Sequence, residues 1–458
     1  MQIPASIFRA YDIRGVVSDA LTPEAVEQIG RAFATQALSQ DCRQVVVARD
    51  GRLSGPQLVR TLSAGLMAGG CDVIDIGMVP TPVLYYATYA LDTGTGIMVT
   101  GSHNPPAYNG LKMMIDGDTL AGDTIQQLYR RLQDNALSEG AGTRSEQRLD
   151  ERYIERIVGD VQLARPLRIA IDCGNGVAGA VAPALFRRLG CEVTEMYCAV
   201  DGNFPNHHPD PSKPENVAEL IETVTGASLD LGLAFDGDGD RLGVIDDRGR
   251  IVWADRQMIL YARDVLQRNR GATIVYDVKC TSHLAPAIRE AGGVPDMWKT
   301  GHSFIKSRLR DTGALLGGEM SGHIFFKERW YGFDDALYAG ARLLEILSAR
   351  EGSAGEMFDA VPDSINTPEL NVHFNAEGDN FRFIERFVAQ AAFPGAELAT
   401  IDGLRADYPD GWGLVRASNT TPSLVIRFEA RDQAGLTRIQ NEFRDAMLSV
   451  DANLDLPF

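Results

Sequence analysis

Cysteine is scarce in this 458-residue chain: six residues, Cys42, Cys71, Cys173, Cys191, Cys198 and Cys280, none in CxxC spacing. That pattern points away from paired cysteines and toward buried free thiols in a reducing, cytoplasmic setting. Long apolar stretches are missing too. No run reaches the roughly 18 residues of a membrane-spanning helix, and the N-terminal MQIPASIFRAYDIRG lacks the apolar segment of a signal peptide. Positive charge is also short, 44 Lys and Arg against 62 Asp and Glu, for a formal net charge of −18. Such a balance argues against nucleic acid as a partner and repels anionic ligands in general. A phosphate-bearing ligand would need basic side chains gathered locally.

What is present reads as a soluble globular protein, 45% hydrophobic and 23% charged. It is too long for one core, so two to four domains are expected. One pattern recurs three times: a strand ending in Asp, a small-residue loop, a helix, a glycine and a second strand. The strand ends are Asp50, Asp172 and Asp277. Alternation of this kind predicts parallel sheets covered by helices. Three copies at unequal spacing suggest three homologous α/β domains rather than a solenoid. From about Asp363 the pattern changes to strands and two helices, an α+β domain. Gly- and Pro-containing linkers at 138–147 and 360–369 place the domains at 1–147, 148–250, 251–362 and 363–458.

Several stretches carry chemistry. VTGSHNPPAYNGLK (Val99 to Lys112) reads as a strand emptying into a stiff loop, with a turn at Asn109-Gly110. Gly101 lets the backbone turn before Ser102, and Pro105-Pro106 stiffens the loop beyond it. Ser102, with His103 beside it and Lys112 near, is either a phosphorylated nucleophile or a turn residue. Asp236-Gly-Asp-Gly-Asp-Arg241 lies between two apolar strands and aims three carboxylates at one centre, which suits Mg²⁺ or Ca²⁺. It is not an EF-hand: the sixth position is Arg241 instead of Gly, and the twelfth is Asp247 instead of Glu. Arg9 and Arg14 flank Tyr11 before Gly15 and offer phosphate-binding forks. His302 and His323 sit in Gly-rich loops, where they can move protons near neutral pH, while Glu319 and Ser321 can bond sugar hydroxyls. Lys279 is a further basic candidate. Arg416-Ala-Ser-Asn-Thr-Thr421 combines a guanidinium, hydroxyls and loop amides into a phosphate cradle, with Arg427 on the next strand.

Taken together, FRAYDIRG, VTGSHNPPAYNGLK, DGDGDR, GGEMSGH and RASNTTPSLVIRFE resemble the motifs of the α-D-phosphohexomutases, in order and over nearly the whole chain. The likeness is to the bacterial phosphomannomutase/phosphoglucomutase branch. The Met of GEMSGH departs from the GEQSGH usual in phosphoglucosamine mutases. The resemblance implies a heart-shaped molecule of three homologous α/β domains with mixed sheets and a C-terminal α+β domain, around a central cleft. It implies a phosphorylated Ser102, one Mg²⁺ on Ser102, Asp236, Asp238 and Asp240, and hydroxyl contacts from Glu319 and Ser321. Arg416, Ser418, Asn419 and Thr420 would hold the non-transferring phosphate, and glucose 1,6-bisphosphate would be the activator. The reaction implied converts hexose 1-phosphate to hexose 6-phosphate. Arg241 and Lys112 would neutralise the phosphoryl oxygens, and His323, Lys112 and Arg14 are the candidate bases. A phosphoglucosamine mutase, a Mg²⁺-dependent sugar phosphatase and a sugar-phosphate sensor are the rivals. A cytoplasmic monomer acting on hexose phosphates, with no nucleic acid or membrane partner, is expected.

Overall fold

The computed structural model describes residues 3–458. Three mixed sheets repeat one pairing scheme. In the first, Gln44–Arg49 lies between Asp72–Met78 and Gly96–Val99, parallel to both, and Tyr108–Ile115 returns antiparallel to Gly96–Val99. In the second, Arg168–Asp172 lies between Glu192–Met196 and Leu231–Phe235, and Leu242–Asp246 returns antiparallel. In the third, Thr273–Asp277 lies between Val294–Trp298 and Leu316–Gly318, and Ile324–Phe326 returns antiparallel. Central strands such as Val45 to Ala48 and Ile169 to Ile171 are fully buried, as strands covered on both faces by helices must be.

The repeat positions the chemistry. In every copy the hairpin between the third parallel strand and the antiparallel one carries a motif loop: Ser102 in the first, Asp236 to Arg241 in the second, Glu319 to His323 in the third. These loops leave the carboxyl ends of parallel strands, where open α/β sheets bind ligands. The recurring aspartates brace them. Asp50 accepts from Thr100 Oγ1 (2.8 Å) and the Gly101 amide (3.1 Å), and Asp277 accepts from the Met320 amide (3.1 Å) and Thr300 Oγ1 (2.9 Å). Asp172 instead accepts from the Gly174 amide (2.9 Å) and lies 2.9 Å from His207 Nε2.

The fourth sheet is antiparallel along Glu397–Ala399, Leu404–Tyr408, Gly411–Ala417 and Ser423–Ala430. Helices Asp379–Gln390 and Gln433–Val450 pack on it through Phe383, Phe387 and Phe443. One continuous apolar core runs through the first three sheets, while the fourth has its own. Trp412 and Leu414 meet Val278 to join the two. No helix among the described residues is long and apolar enough to cross a membrane, and all six cysteines are free thiols.

Three expectations need correction. Asn109-Gly110 is not a turn: both lie inside Tyr108–Ile115, facing Gly15 and Arg14 of Ile13–Val16. Glycine is required there because a Cβ would meet the Ile13 carbonyl at 2.6 Å and the Thr100 carbonyl at 2.9 Å. The stretch 138–147 is not a free linker, since Arg144–Glu146 adds a parallel edge strand to Asp72–Met78. The boundary at 250 falls within a hairpin, because Ile251–Val252 pairs with Val244 and Ile245 and extends the second sheet.

Candidate active site

Ser102 itself, not Gly101, makes the sharp turn of the first loop. Its φ of 48° lies in the left-handed region that non-glycine residues enter at a cost. Gly101 serves another purpose: a Cβ there would run into the guanidinium of Arg52. The Ser102 amide donates to Thr100 Oγ1 (2.8 Å), and Ser102 Oγ donates to Asp236 Oδ2 (2.8 Å), with His103 Nδ1 3.2 Å away. Gly237 packs so closely on the Ser102 carbonyl that no side chain fits between the two loops. Burial, reinforced by the nearby Arg241 and Arg14 guanidiniums, holds His103 well below the ordinary histidine range, so it is neutral.

Asp236, Asp238 and Asp240 are all fully buried, with ligand oxygens within 4.8 Å of one another. Asp236 Oδ1 accepts from the amides of Gly239 (3.0 Å), Asp240 (3.1 Å) and Arg241 (3.2 Å), which fold the turn inward. Lys112 donates to Asp238 Oδ2 (2.7 Å) and to Asp240 Oδ2, and Thr81 Oγ1 donates to Asp238 Oδ2 (2.5 Å). Burial alone would lower the Lys112 ammonium, but Asp238 and Asp240 hold it well above its ordinary range. Asp236 has no such cation. Burial, and then Asp240 and Asp238, push its carboxyl well up. Asp238 Oδ1 and Asp240 Oδ1 are buried without a hydrogen-bond partner among the described residues. Three buried carboxylates with two unmatched oxygens fit a hard divalent cation.

The third loop comes next to the second. Arg241 Nε donates to His323 Nε2 (3.0 Å), which puts the imidazole proton on Nδ1, 3.1 Å from Asp334 Oδ2. Asp334 also accepts from Lys306 (2.9 Å), and the His302 ring stacks 5.7 Å from His323. Burial, with Lys306 next, holds His302 well below its ordinary range. Glu319 Oε1 accepts from the Gly301 amide (2.5 Å); Ser321 sits half-buried at the tip of the loop.

Burial raises the Glu319 carboxyl from 4.5 to about 7. The folded chain then keeps a proton that the unfolded chain releases between those values, so stability falls as pH rises through that window. Glu319→Gln preserves the acceptor and removes the charge. Its melting temperature should match wild type near pH 5 and exceed it near pH 8, by scanning fluorimetry. A difference that stays constant with pH would show that Glu319 is ionised throughout.

In the fourth unit, Arg416 Nε donates to Asp402 Oδ2 (2.8 Å), which also accepts from the Thr300 amide (3.0 Å), and Arg416 Nη2 is left without a partner among the described residues. Ser418 Oγ accepts from the amides of Thr420 and Thr421 (both 3.3 Å), while Asn419 is half-buried and Thr420 exposed. Tyr11 reaches over from the first unit. Burial pushes its hydroxyl up to about 12 although Arg416 and Asn419 work against it, and its ring packs edge-on against His302 at 5.6 Å. Arg9 bridges to Glu377 (3.0 Å), so first and fourth units touch.

One expected ligand residue sits elsewhere. Arg427 is fully buried and donates to the Lys279 carbonyl and to Asp255 Oδ2 (3.3 Å), which makes it a brace between the third and fourth units rather than part of the Arg416 loop. Lys279 Nζ donates to Glu369 Oε1 (2.6 Å), and Arg14 to Asp12. Sequence reasoning passed over Arg52, Thr81, Asp334, Asp402 and Glu369, each a partner of a residue it did single out, and Lys306, which pairs with Asp334.

Family models describing phosphoglucomutase/phosphomannomutase α/β/α domains I, II and III match residues 5–139, 151–249 and 253–365, and the C-terminal domain matches 369–446. A phosphomannomutase/phosphoglucomutase of Pseudomonas putida is 56% identical over 456 residues, covering 100% of this chain and 98% of the relative. The chain belongs to the phosphoglucomutase/phosphomannomutase family. A phosphoglucomutase of Neisseria gonorrhoeae is 54% identical over 96% of each chain. The crystal structure of a family protein from Burkholderia thailandensis superposes with a TM-score of 0.95 at 52% identity, over 100% of both chains. Within that family's fold, the three motif hairpins and the fourth-unit loop of this phosphohexomutase face one another.

Proposed function

We propose that this chain interconverts hexose 1-phosphates and 6-phosphates, of mannose and glucose, with Ser102 as the phosphoryl carrier. The observation that carries the reading is the placement of Ser102 Oγ against Asp236, in an acidic pocket where Asp238 Oδ1 and Asp240 Oδ1 have no hydrogen-bond partner among the described residues, with an unmatched Arg416 donor on the facing unit. Mg²⁺, held by Asp236, Asp238, Asp240 and an oxygen on Ser102, would neutralise charge on the transferring phosphoryl group. The sugar's distal phosphate rests on Arg416 and the Ser418 to Thr420 amides and hydroxyls, with Tyr11, Lys279 and His302 lining the approach. Glu319 and Ser321 take its hydroxyls.

The O6 oxygen attacks phosphorus on phospho-Ser102: the P–O6 bond forms as the P–Oγ bond breaks, and the O6 proton passes to a base. Lys112 is committed as an ammonium and Arg14 as a guanidinium, which leaves His323; its Nε2 would have to give up the Arg241 Nε–H to take the proton. The 1,6-bisphosphate then turns over, Ser102 Oγ attacks the phosphorus on O1 as the P–O1 bond breaks, O1 takes up the proton that the base removed from O6, and the 6-phosphate leaves. Glucose 1,6-bisphosphate primes the unphosphorylated serine. The protein works as a cytoplasmic monomer, in units divided near residues 147, 252 and 362.

Phosphorus NMR with Mg²⁺ and a trace of glucose 1,6-bisphosphate tests the reading. Both mannose 1-phosphate and glucose 1-phosphate should become 6-phosphates. Because both orientations must fit one cradle, no group is dedicated to the 2-hydroxyl, and kcat/KM for the two sugars should differ by less than about a hundredfold. Release of inorganic phosphate would favour a phosphatase instead.

A further inference from the structure

Arg52 lies outside the chemistry just described, yet it is 1% exposed and uses four of its five side-chain donors on the serine loop and the fifth on Asp50. Nη1 donates to the carbonyls of Pro105 (2.6 Å) and Tyr108 (3.0 Å). Nη2 donates to those of Ser102 (2.8 Å) and Asn104 (2.5 Å), and Nε to Asp50 Oδ2 (3.2 Å). A guanidinium has five N–H donors in a fixed fork, so all are committed, four to carbonyls of one loop. Its own amide donates to Asp50 Oδ1 (2.9 Å), and Asp50 in turn takes the Thr100 hydroxyl and the Gly101 amide, closing a ring around the residues just before the serine.

The second unit covers this ring. Phe204 lies 5.2 Å from the guanidinium carbon. Gly202 abuts the backbone of Gly51 to Leu53, where a Cβ would come within 2.7 Å of the Gly51 carbonyl. Ser102 holds a left-handed backbone that a serine does not adopt unaided, and such a conformation persists only where the surroundings over-determine it.

We propose that Arg52 is the positioning residue for the phosphoryl carrier. It fixes the Ser102 carbonyl and the four-carbonyl loop, so that Oγ faces Asp236 in the reactive direction. The inference rests on the mutase reading, with Ser102 as carrier. A lysine at this position could reach one or two of the carbonyls but not span four, because its three donors radiate from a single atom.

Arg52→Lys and Gly101→Ala, which displaces the guanidinium from its other side, test this in the full chain beside wild type. Melting and circular dichroism report folding; kcat and KM for glucose 1-phosphate report turnover; intact mass against time reports phosphate uptake by Ser102 from glucose 1,6-bisphosphate. A misplacement on the order of 1 Å should lower kcat roughly a hundredfold with KM little changed. Ser102 phosphorylation should slow by the same factor in molecules that remain folded. Wild-type kcat per folded Arg52→Lys molecule, a loss confined to KM, or unslowed serine phosphorylation would each overturn the proposal. If Arg52→Lys does not fold, Gly101→Ala is read by the same criteria. A wild type that takes up no phosphate on Ser102 overturns the mutase reading and this inference with it. A working wild type beside an equally fast variant overturns the inference alone.

Discussion

Ser102→Ala should fold, bind hexose phosphates and lose at least roughly a thousandfold in kcat. In the proposed reaction the hydroxyl is the atom that carries the phosphoryl group between two sugar oxygens, and no neighbour can replace it. His103 is neutral but bonded to the same hydroxyl, and Thr100 Oγ1 is turned toward Asp50. Binding should persist because, in the proposed reading, the distal phosphate and the sugar hydroxyls are held by other units, through Arg416, Ser418 and Glu319. Stability should fall modestly, by about 1–3 kcal/mol for a buried acceptor left without its donor, since Asp236 Oδ2 takes the Ser102 proton. Calorimetric titration with glucose 1,6-bisphosphate beside steady-state kinetics separates the two effects. A variant within tenfold of wild-type kcat would remove Ser102 from the reaction. A variant that binds no sugar phosphate would mean that the serine shapes the cradle instead.

Much of this site was legible in the chain because its parts are local in sequence. DGDGDR is a six-residue turn whose carboxylates converge whatever surrounds them. The repeat, visible in strands ending at Asp50, Asp172 and Asp277, predicts three helix-covered sheets with parallel strands, but not the antiparallel strand that closes each motif hairpin. Other features depend on contacts between units and left no local mark. Arg52 reads as a loop arginine until its fork meets carbonyls fifty residues away. Asp334 becomes meaningful only where His323 and Lys306 converge on it. Asn109-Gly110 has the composition of a turn, but tertiary packing demands glycine there for closeness to the Ile13 carbonyl. Arg427 looks like a phosphate ligand beside RASNTT, but strand alternation turns it inward, onto Asp255 and the Trp412 ring. The gathering of basic residues expected against a net charge of −18 is real in position, but most are already matched: Lys112 with Asp238 and Asp240, Lys279 with Glu369, Arg416 with Asp402. The cleft offers ligands the remaining donors of these groups, not a bare positive surface.

That matching sets the second large effect. Lys112 is a buried ammonium between two buried aspartates, with a third beside them. Lys112→Met keeps the length and apolar stem but removes the ammonium that pairs with Asp238 and Asp240, leaving three carboxylates facing one another with only the more distant Arg241 guanidinium. Removing one partner of a buried ionic cluster costs about 3–5 kcal/mol, because the remaining charge stays desolvated. The loss should depend on pH in a definite direction. Without the lysine, burial and mutual repulsion raise the folded-state carboxyls above their unfolded values, so the folded chain binds protons that the unfolded chain releases. The deficit against wild type is therefore largest near pH 8 and shrinks as pH falls. Adding Mg²⁺ should restore more stability to Lys112→Met than to wild type, since the cation replaces missing charge and is not in competition with an ammonium. Asp240→Asn in the same chain should recover part of the loss without recovering turnover. Scanning calorimetry across pH, with EDTA and with Mg²⁺, reads all of these together. Lys112→Met melting at the wild-type temperature near pH 8 in EDTA would mean that the acidic turn is balanced by something other than Lys112, and the electrostatic account of this pocket would fall.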